Sequence, residues 1–370
     1  MSISKKRIVC VIGTRPEAIK MAPVIWELQR RNWTIVEVWI TEQHRELLHP
    51  LLEFFELKAD RNFEVMAPGQ GLSGLNARIL VGMGEALANS APDLVIAQGD
   101  TTTVMAAAQS CFYAGVPFAH VEAGLRTGDL MQPFPEEFNR LVVSLISRFN
   151  FAPTWRAYNA LCDEGISKEK ILMTGNTVID ALFWTDRQNK KREISDDAGR
   201  KLLLTLHRRE NFGVPIRSIF GAVLRLTEEF PDLSVLYPVH PNPNVRSIAY
   251  ELLGNVSRIE LTEPLDYPDM VAAMRAATVI LTDSGGIQEE APALGKPVFV
   301  ARNSTERPES IEDGCAILVG SDADYIVESI GRVLRHSVHY QAMVKGRSPY
   351  GDGTASLQIV NALEAHFSNE

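Results

Sequence analysis

No run in this 370-residue sequence approaches the roughly 20 consecutive apolar positions that a membrane-spanning helix needs. The opening residues, MSISKKRIVCVIG, are basic, but they lack the longer apolar core and small-residue cleavage site of a signal peptide. A cytoplasmic chain with no membrane partner is expected. Cysteine is scarce: Cys10, Cys111, Cys162 and Cys315 are all there are, and no two form a C-x-x-C pair. That pattern reads as reduced thiols in apolar surroundings, with no metal site expected. Positive charge is in deficit. Lys and Arg number 37 against 46 Asp and Glu, a net charge of −9, which argues against nucleic acid as a partner. Two nucleotide signatures are also missing. No G-x-G-x-x-G follows the first apolar run, VGMGEAL (81–87) supplies only two glycines in a helical pattern, and no G-x-x-x-x-G-K-S/T occurs. No nicotinamide cofactor, and no cofactor of any kind, is expected.

What is present is a long alternation. RIVCVIG, TIVEVWI, DLVIAQG, PFAHVEA and KILMTG each read as a strand, with helical patterns between them. After the polar stretch DRQNKKREISDDAGR (186–200), the alternation restarts with KLLLTLH, SVLYPVH, RIELTE, TVILTDS and PVFVA. Near-continuous apolar strands separated by helices predict parallel sheets covered on both faces. The fold class expected is α/β: two Rossmann-like domains, 1–185 and 186–353, with the stretch 186–200 as linker and an active site in the cleft between them. A last helix, about 354–370, is free to pack on either domain, the first included.

Open parallel sheets bind ligands beyond the carboxyl ends of their strands. Six strand ends here deliver ionisable or anion-binding groups: Arg15, Asp100 and Glu122 in the first half, and His207, His240 and Asp283-Ser284-Gly285-Gly286 in the second. TDSGGIQEEAP passes through a glycine turn into a helix expected to begin near Ile287. Such a turn offers free N–H groups to a phosphate, or it is a tight turn that needs glycine for its backbone angles. GTRPEAIK makes a similar turn with Arg15 and Lys20 in reach, and Arg208, Arg209 and Arg307 add charge in the second half. A nucleotide sugar suits this pattern better than a dinucleotide.

Read together, GTRPEAIKMAPV, TEQHRELL, GDTTT, HVEAGLRTGD, PFPEEFNR, GNTVIDAL, LHRRENFG, YPVHPNPNV, TDSGGIQEEAPALGKPV and TERPE resemble the non-hydrolysing UDP-N-acetylglucosamine 2-epimerases of bacteria. The resemblance runs in order from about residue 7 to 353. It implies the GT-B fold, a homodimer, and interconversion of UDP-N-acetylglucosamine and UDP-N-acetylmannosamine without a redox cofactor, for cell-surface polysaccharide. It also implies that Asp100, Glu122, Glu136 and His207 are the acid/base set, and that Arg15 and Lys20 bind anion. In the second half it implies Ser284, Gly285 and Gly286 for phosphate, Glu290 for the ribose, Arg307 for UDP and Met270 against uracil. Leu265 replaces a polar residue that some relatives carry near the base. Glu137 is read as a structural neighbour that pairs with Arg140. A second UDP-N-acetylglucosamine, an allosteric activator, is implied at Gln43, His44, Gln70, Arg208 and His240, although Glu46 replaces a glutamine of some relatives.

The carbon 2 hydrogen of such a sugar is not next to a carbonyl, and nothing here would oxidise carbon 3. Elimination is the remaining route: a carboxylate takes the carbon 2 proton, UDP leaves, and 2-acetamidoglucal forms. Re-addition with a proton from the opposite face inverts the centre, so acid/base groups are needed on both faces. The departing UDP calls for cations and helix termini. The alternatives weighed are a GT-B glycosyltransferase, a hydrolysing epimerase, a non-catalytic UDP-sugar sensor and an epimerase of a related UDP-diacetamido sugar.

Overall fold

The computed structural model describes residues 5–42, 45–67, 69–189, 199–345 and 348–369. It divides into two compact units: residues up to Ala181 together with those from Tyr350 onward, and Leu182–Pro349. Unit 1 opens with β1 (Lys6–Ile12), α1 (Arg15–Gln29), β2 (Thr34–Ile40), α2 (Arg45–Phe54), β3 (Arg61–Asn62), α3 (Leu72–Ser90) and β4 (Leu94–Gln98). It continues with α4 (Thr102–Ala114), β5 (Phe118–Val121), α5 (Glu136–Ile146), β6 (Phe149–Ala152), α6 (Trp155–Asp163), β7 (Ile171–Met173) and the start of α7 (Thr177–Asn189), whose residues from Leu182 onward belong to unit 2. Unit 2 goes on with β8 (Arg200–Thr205), α8 (Val214–Glu229), β9 (Leu233–Pro238), α9 (Pro243–Leu253), β10 (Ile259–Thr262) and α10 (Tyr267–Ala276). Next come β11 (Val279–Thr282), α11 (Gly285–Ala293), β12 (Val298–Val300), α12 (Pro308–Glu312), β13 (Ala316–Leu318), α13 (Ala323–Arg335) and α14 (Ser337–Val344). The chain then returns to unit 1 as α15 (Ala355–Ser368).

Both sheets are parallel. Their orders are β3-β2-β1-β4-β5-β6-β7 and β10-β9-β8-β11-β12-β13. Each is a Rossmann order, reversing direction between β1 and β4 in one unit and between β8 and β11 in the other. The central strands are mostly apolar because helices cover both faces. In unit 1, Val9, Val11, Trp39 and Val95 pack against Ile79 and Met83 of α3 and Val104 of α4. In unit 2, Leu202, Leu204, Val235 and Leu281 pack against Ile216, Phe220 and Val223 of α8. Each fully buried aliphatic side chain contributes about 1.5–3 kcal/mol before chain entropy is subtracted. Helix starts follow local chemistry: the Asp322 carboxylate accepts from Tyr325 N–H at 2.9 Å, and the Asp266 carboxylate from Asp269 N–H at 2.9 Å.

All ten strands read from the sequence are present. Three others were not foreseen, β3, β6 and β13, each of two to four residues. The polar stretch 186–200 is not a linker throughout. Its first residues continue α7, where the buried Asp186 accepts from Arg275 Nε at 2.8 Å, so an ion pair replaces the missing apolar stripe. The helix α15 packs on α1: Arg31 donates to Glu364 at 3.1 Å and to the Asn361 side-chain oxygen at 2.8 Å, and Leu363 and Ile359 are wholly buried. Its first turn is anchored by Asp180, which accepts from Ser356 N–H at 2.9 Å and the Ser356 hydroxyl at 2.5 Å. Among the described residues no helix is long and apolar enough to cross a membrane.

Candidate active site

In unit 1 the sheet reverses between β1 and β4, and the turns after these strands are tied together. Glu17, one turn into α1, is buried. It accepts from Gly13 N–H at 2.5 Å and from the Thr101 hydroxyl at 2.7 Å. Burial pushes its carboxyl up to about 7, with the Asp100 charge adding and the hydrogen bonds from Thr101, Gly13 and Thr14 opposing. A side chain at Gly13 would not fit, because its Cβ would lie 2.3 Å from Thr103 Oγ1. Arg15, at the first position of α1, is half-buried and has no partner among the described residues.

Asp100 follows β4 and is held by α5. Arg140 Nε donates to its Oδ2 at 2.8 Å, and the Asn139 amide donates to its main-chain carbonyl at 2.7 Å. Arg140 also donates to Glu137 Oε2 at 2.9 Å, the pairing expected from the sequence. The other Glu137 oxygen accepts from Thr127 N–H at 2.9 Å and Gly128 N–H at 3.1 Å. Burial alone would raise this carboxyl, but the donors outweigh it and hold it below its ordinary value. Glu136, beside it at the start of α5, is half-buried and has no partner among the described residues.

Glu122 leaves β5 in the left-handed region, φ 65°, a conformation that costs a non-glycine residue about 1 kcal/mol or more. Its carboxylate accepts from Lys20 Nζ at 2.5 Å, from the Asn176 amide at 2.8 Å and from the Gln98 amide. Gly124 (φ 90°) completes the turn, and a Cβ there would meet the Ala157 carbonyl at 2.2 Å. His120, wholly buried one residue before the strand ends, shares Nε2 with the Gly99 carbonyl at 2.7 Å, and burial pushes it down to about 4. It is a neutral imidazole at pH 7. Asp100, Glu122, Glu136, Arg15 and Lys20 thus all sit at the carboxyl edge of the unit 1 sheet.

Unit 2 reverses between β8 and β11, and there Asp283 binds the β8 loop. His207 Nδ1 lies 2.9 Å from its Oδ1, Arg208 N–H donates at 2.9 Å and the Asn211 amide at 2.9 Å. His207 and His240, at the ends of β8 and β9, have ring centroids 6.0 Å apart. Burial, then the His207 charge, pushes His240 below the ordinary histidine value.

The glycine turn begins a helix at Gly285 rather than near Ile287, with Ser284 as the capping residue. Neither Gly285 nor Gly286 has a positive φ, so the backbone does not require glycine. Nor does packing: a Cβ at Gly285 would come no closer than 3.8 Å to Arg208 Nη2, and one at Gly286 no closer than 3.7 Å to Glu290 Oε2. The effect of the two glycines is to leave the N–H groups of a helix start bare, the arrangement that suits a phosphate. Arg208, assigned from the sequence to an activator site, lies beside this turn and 3.6 Å from Glu306. Glu290 is buried and accepts from the Tyr267 hydroxyl at 2.7 Å. The Arg307 guanidinium is engaged by the buried Glu289. Met270 is half-buried on α10, and Leu265 half-buried just before it. Gln70 lies in unit 1, ahead of α3, where its amide donates to Met66 Sδ at 3.0 Å. Gln43 and His44 fall outside the described residues, as does the side chain of Glu46.

The sequence reading missed most of the residues that hold these groups, Glu17, Gln98, Asn176, Tyr267 and Glu289, and it missed that Arg140 holds Asp100 as well as Glu137. A signal existed for some of them. Gln98 ends an otherwise apolar strand, Asn176 follows one, and Asn139 and Arg140 lie one helical turn from Glu136.

The model of the family described as UDP-N-acetylglucosamine 2-epimerase matches residues 26–364. The UDP-N-acetylglucosamine 2-epimerase of Escherichia coli K12 is 43% identical over 369 residues, covering 97% of this chain and 98% of that protein. Among solved structures, UDP-GlcNAc 2-epimerase from Neisseria meningitidis bound to UDP-GlcNAc superposes with a TM-score of 0.88 at 43% identity, covering 97% of this chain and all of that one. The Methanocaldococcus jannaschii UDP-GlcNAc 2-epimerase in complex with UDP-GlcNAc and UDP gives 0.79 at 31% identity, over 97% and 99% of the two chains. Sharing sequence and both sheets with these proteins almost end to end, the chain belongs to the UDP-N-acetylglucosamine 2-epimerase family.

Proposed function

We propose that this chain is a non-hydrolysing UDP-N-acetylglucosamine 2-epimerase, an isomerase that interconverts UDP-N-acetylglucosamine and UDP-N-acetylmannosamine. The observation that carries the reading is the set of carboxylates at one sheet edge, Asp100, Glu122 and Glu136, with different surroundings for each. Among the described residues Glu136 has no partner that would compete for a proton, whereas Asp100 and Glu122 are held by cations. In the forward direction a carboxylate removes the carbon 2 proton, and the C–H pair becomes the C1–C2 double bond. The C1–O pair leaves with UDP, giving 2-acetamidoglucal. UDP then adds back at carbon 1 while a proton reaches carbon 2 from the other face.

Asp100 and Glu136 exchange these protons, and Glu122 holds sugar hydroxyls. His207 acts at the diphosphate end. Ser284, Gly285 and Gly286 receive the phosphates, Glu290 the ribose hydroxyls, Arg307 the UDP moiety and Met270 the uracil. Arg15 and Lys20 supply positive charge in unit 1. Gln43, His44, Gln70, Arg208 and His240 bind a second UDP-N-acetylglucosamine as activator. The enzyme works in the cytoplasm as a homodimer and supplies a precursor of cell-surface polysaccharide. The relatives solved with UDP-GlcNAc and with UDP support the choice of nucleotide sugar.

Incubation with UDP-N-acetylglucosamine in deuterated water, without added NAD or metal, tests the reading by NMR. Equilibration of the two sugars with deuterium at carbon 2 is expected. A requirement for NAD, or product without deuterium, overturns the elimination route.

A further inference from the structure

Both oxygens of Asp283 are engaged, and the partners are all donors. The side chain has no exposed surface, and it sits where the sheet reverses between β8 and β11. One oxygen faces His207 Nδ1 at 2.9 Å. The other accepts from His207 N–H at 3.0 Å, Arg208 N–H at 2.9 Å and the Asn211 amide at 2.9 Å. A carboxylate can only accept, so Nδ1 of the imidazole carries the proton, and the ring's basic site is Nε2. An asparagine of the same shape would bring an NH2 group among donors, and its easiest adjustment is to offer that group to Nδ1. The imidazole would then hold its proton on Nε2 instead. Burial by itself would raise the Asp283 carboxyl, but the His207 hydrogen bond and charge, with those of Arg208 and Asn211, hold it below its ordinary value. It is therefore an anion at neutral pH. A buried anion costs stability unless its surroundings use it. Here its surroundings are the loop that carries His207 to the ligand edge, where that ring is 40% exposed and Nε2 has no partner among the described residues.

We propose that Asp283 is a positioning residue for His207, fixing the imidazole as the Nδ1–H tautomer so that Nε2 is the atom that exchanges a proton with the substrate. The proposal rests on the reading of His207 as the group acting at the diphosphate. With Nδ1–H held, protonated Nε2 gives its proton to the departing diphosphate oxygen as the C1–O bond breaks. The neutral ring recovers that proton when the same oxygen re-forms the bond, so each turnover returns the imidazole to its starting state. A carboxylate behind a histidine that sets its tautomer is a general device for both metal ligands and acid/base groups.

The decisive measurement needs no substrate. In protein labelled with 15N-histidine, at a pH where the ring is neutral, long-range proton–nitrogen NMR distinguishes the protonated ring nitrogen from the bare one. The His207 signals are identified by their loss in His207→Gln. Protonated Nδ1 and bare Nε2 are expected in the unaltered enzyme, and the reverse in Asp283→Asn. A bare Nδ1 in the unaltered enzyme overturns the proposal, whether or not the variant folds. Kinetics supply the second readout. Asp283→Asn is expected to lower kcat about 10²–10⁴-fold while KM changes little. The double variant Asp283→Asn/His207→Ala is expected to be no slower than His207→Ala alone, because Asp283 acts through that ring. Losses that multiply would make Asp283 a merely structural residue and sink the assignment. Absence of deuterium exchange in the unaltered enzyme would sink the proposed function instead, leaving the tautomer result to decide on Asp283.

Discussion

Glu136 and Glu137 are neighbours on the first turn of α5 with opposite surroundings, and the contrast sets an experiment. Glu137 is 1% exposed and its two oxygens accept three hydrogen bonds, one from a guanidinium. Glu136 accepts none among the described residues. Glu136→Gln is expected to melt like the unaltered protein and to lose about 10²–10⁴-fold in kcat. Glu137→Gln is expected to lose about 1.5–3 kcal/mol of stability, because its amide would face the Arg140 donor. Comparison of Tm and kcat for the two variants decides it, and a Glu136→Gln enzyme with normal turnover removes that residue from the chemistry. A second pair of buried residues makes stability depend on pH in opposing directions. Glu17 is pushed up to about 7 from 4.5, so between these values only the folded state holds its proton. Its contribution is complete below about 4.5 and declines by about 3 kcal/mol as pH rises to about 7. His120 is pushed down to about 4 from 6.5, so in that window only the unfolded state is protonated. Its contribution is complete above about 6.5 and declines by about 3 kcal/mol as pH falls to about 4. Urea unfolding of Glu17→Gln across pH 4.5–7.5 should show the variant gaining on the unaltered protein as pH rises. A stability difference that ignores pH would refute the raised carboxyl.

At the scale of elements, the start of α11 separates what folding needs from what binding needs. A methyl group at Gly285 or Gly286 meets nothing closer than 3.7 Å, and the backbone there is already compatible with alanine. Gly285→Ala and Gly286→Ala are therefore expected to fold and to gain up to about 1 kcal/mol through restricted unfolded-chain freedom. The same methyl groups stand where a phosphate would approach the helix N–H groups, so UDP affinity by calorimetric titration should fall about tenfold or more. Unchanged affinity in both would move the phosphates elsewhere. Gly124→Ala is the contrasting case, since its Cβ meets a main-chain carbonyl and its φ is positive, and loss of folding is expected. Elements of this kind were legible in proportion to their length and polarity pattern. Strands with runs of four or five apolar residues, such as β1 and β4, declare themselves in the sequence, whereas the two residues of β3 at a sheet edge carry no period to read. The strand-end residues were legible because a charged group closing an apolar run is conspicuous. Their partners were not, because Lys20 and Glu122 meet across 102 positions, and Asp283 meets His207 across 76, through a topology that no local spacing encodes. The start of α11 was misjudged by two residues for a related reason: glycine is a poor helix former in isolation, and only the tertiary setting makes it helical here.

At the scale of the whole molecule, unit 2 is one uninterrupted stretch, while unit 1 is assembled from both sides of it. The returning helix α15 brings Leu363, Ile359, Val360 and Ala355 into burial and satisfies the Asp180 carboxylate. Leu363→Ala is expected to cost unit 1 about 2–5 kcal/mol, read as a lower Tm in calorimetry, since the side chain is wholly buried. A loss below about 1 kcal/mol would mean that α15 is an accessory. The proposed homodimer has its own test. The helices α3, α4 and α5 are neighbours and expose Val81, Phe112, Tyr113 and Leu145, apolar side chains that a second copy would shield from water. Tyr113→Glu with Leu145→Glu should shift light-scattering mass toward one chain, and a dimer that survives both changes lies on another face. The route of the chain also sets an order of events on the ribosome. The strands of unit 1 emerge first, yet their last covering helix is translated only after every residue of unit 2. The first sheet must therefore wait, with the flank of α1 that binds α15 still bare, through the synthesis of some 170 residues, Leu182–Pro349. It is this nascent intermediate, rather than the finished enzyme, that a chaperone would need to guard.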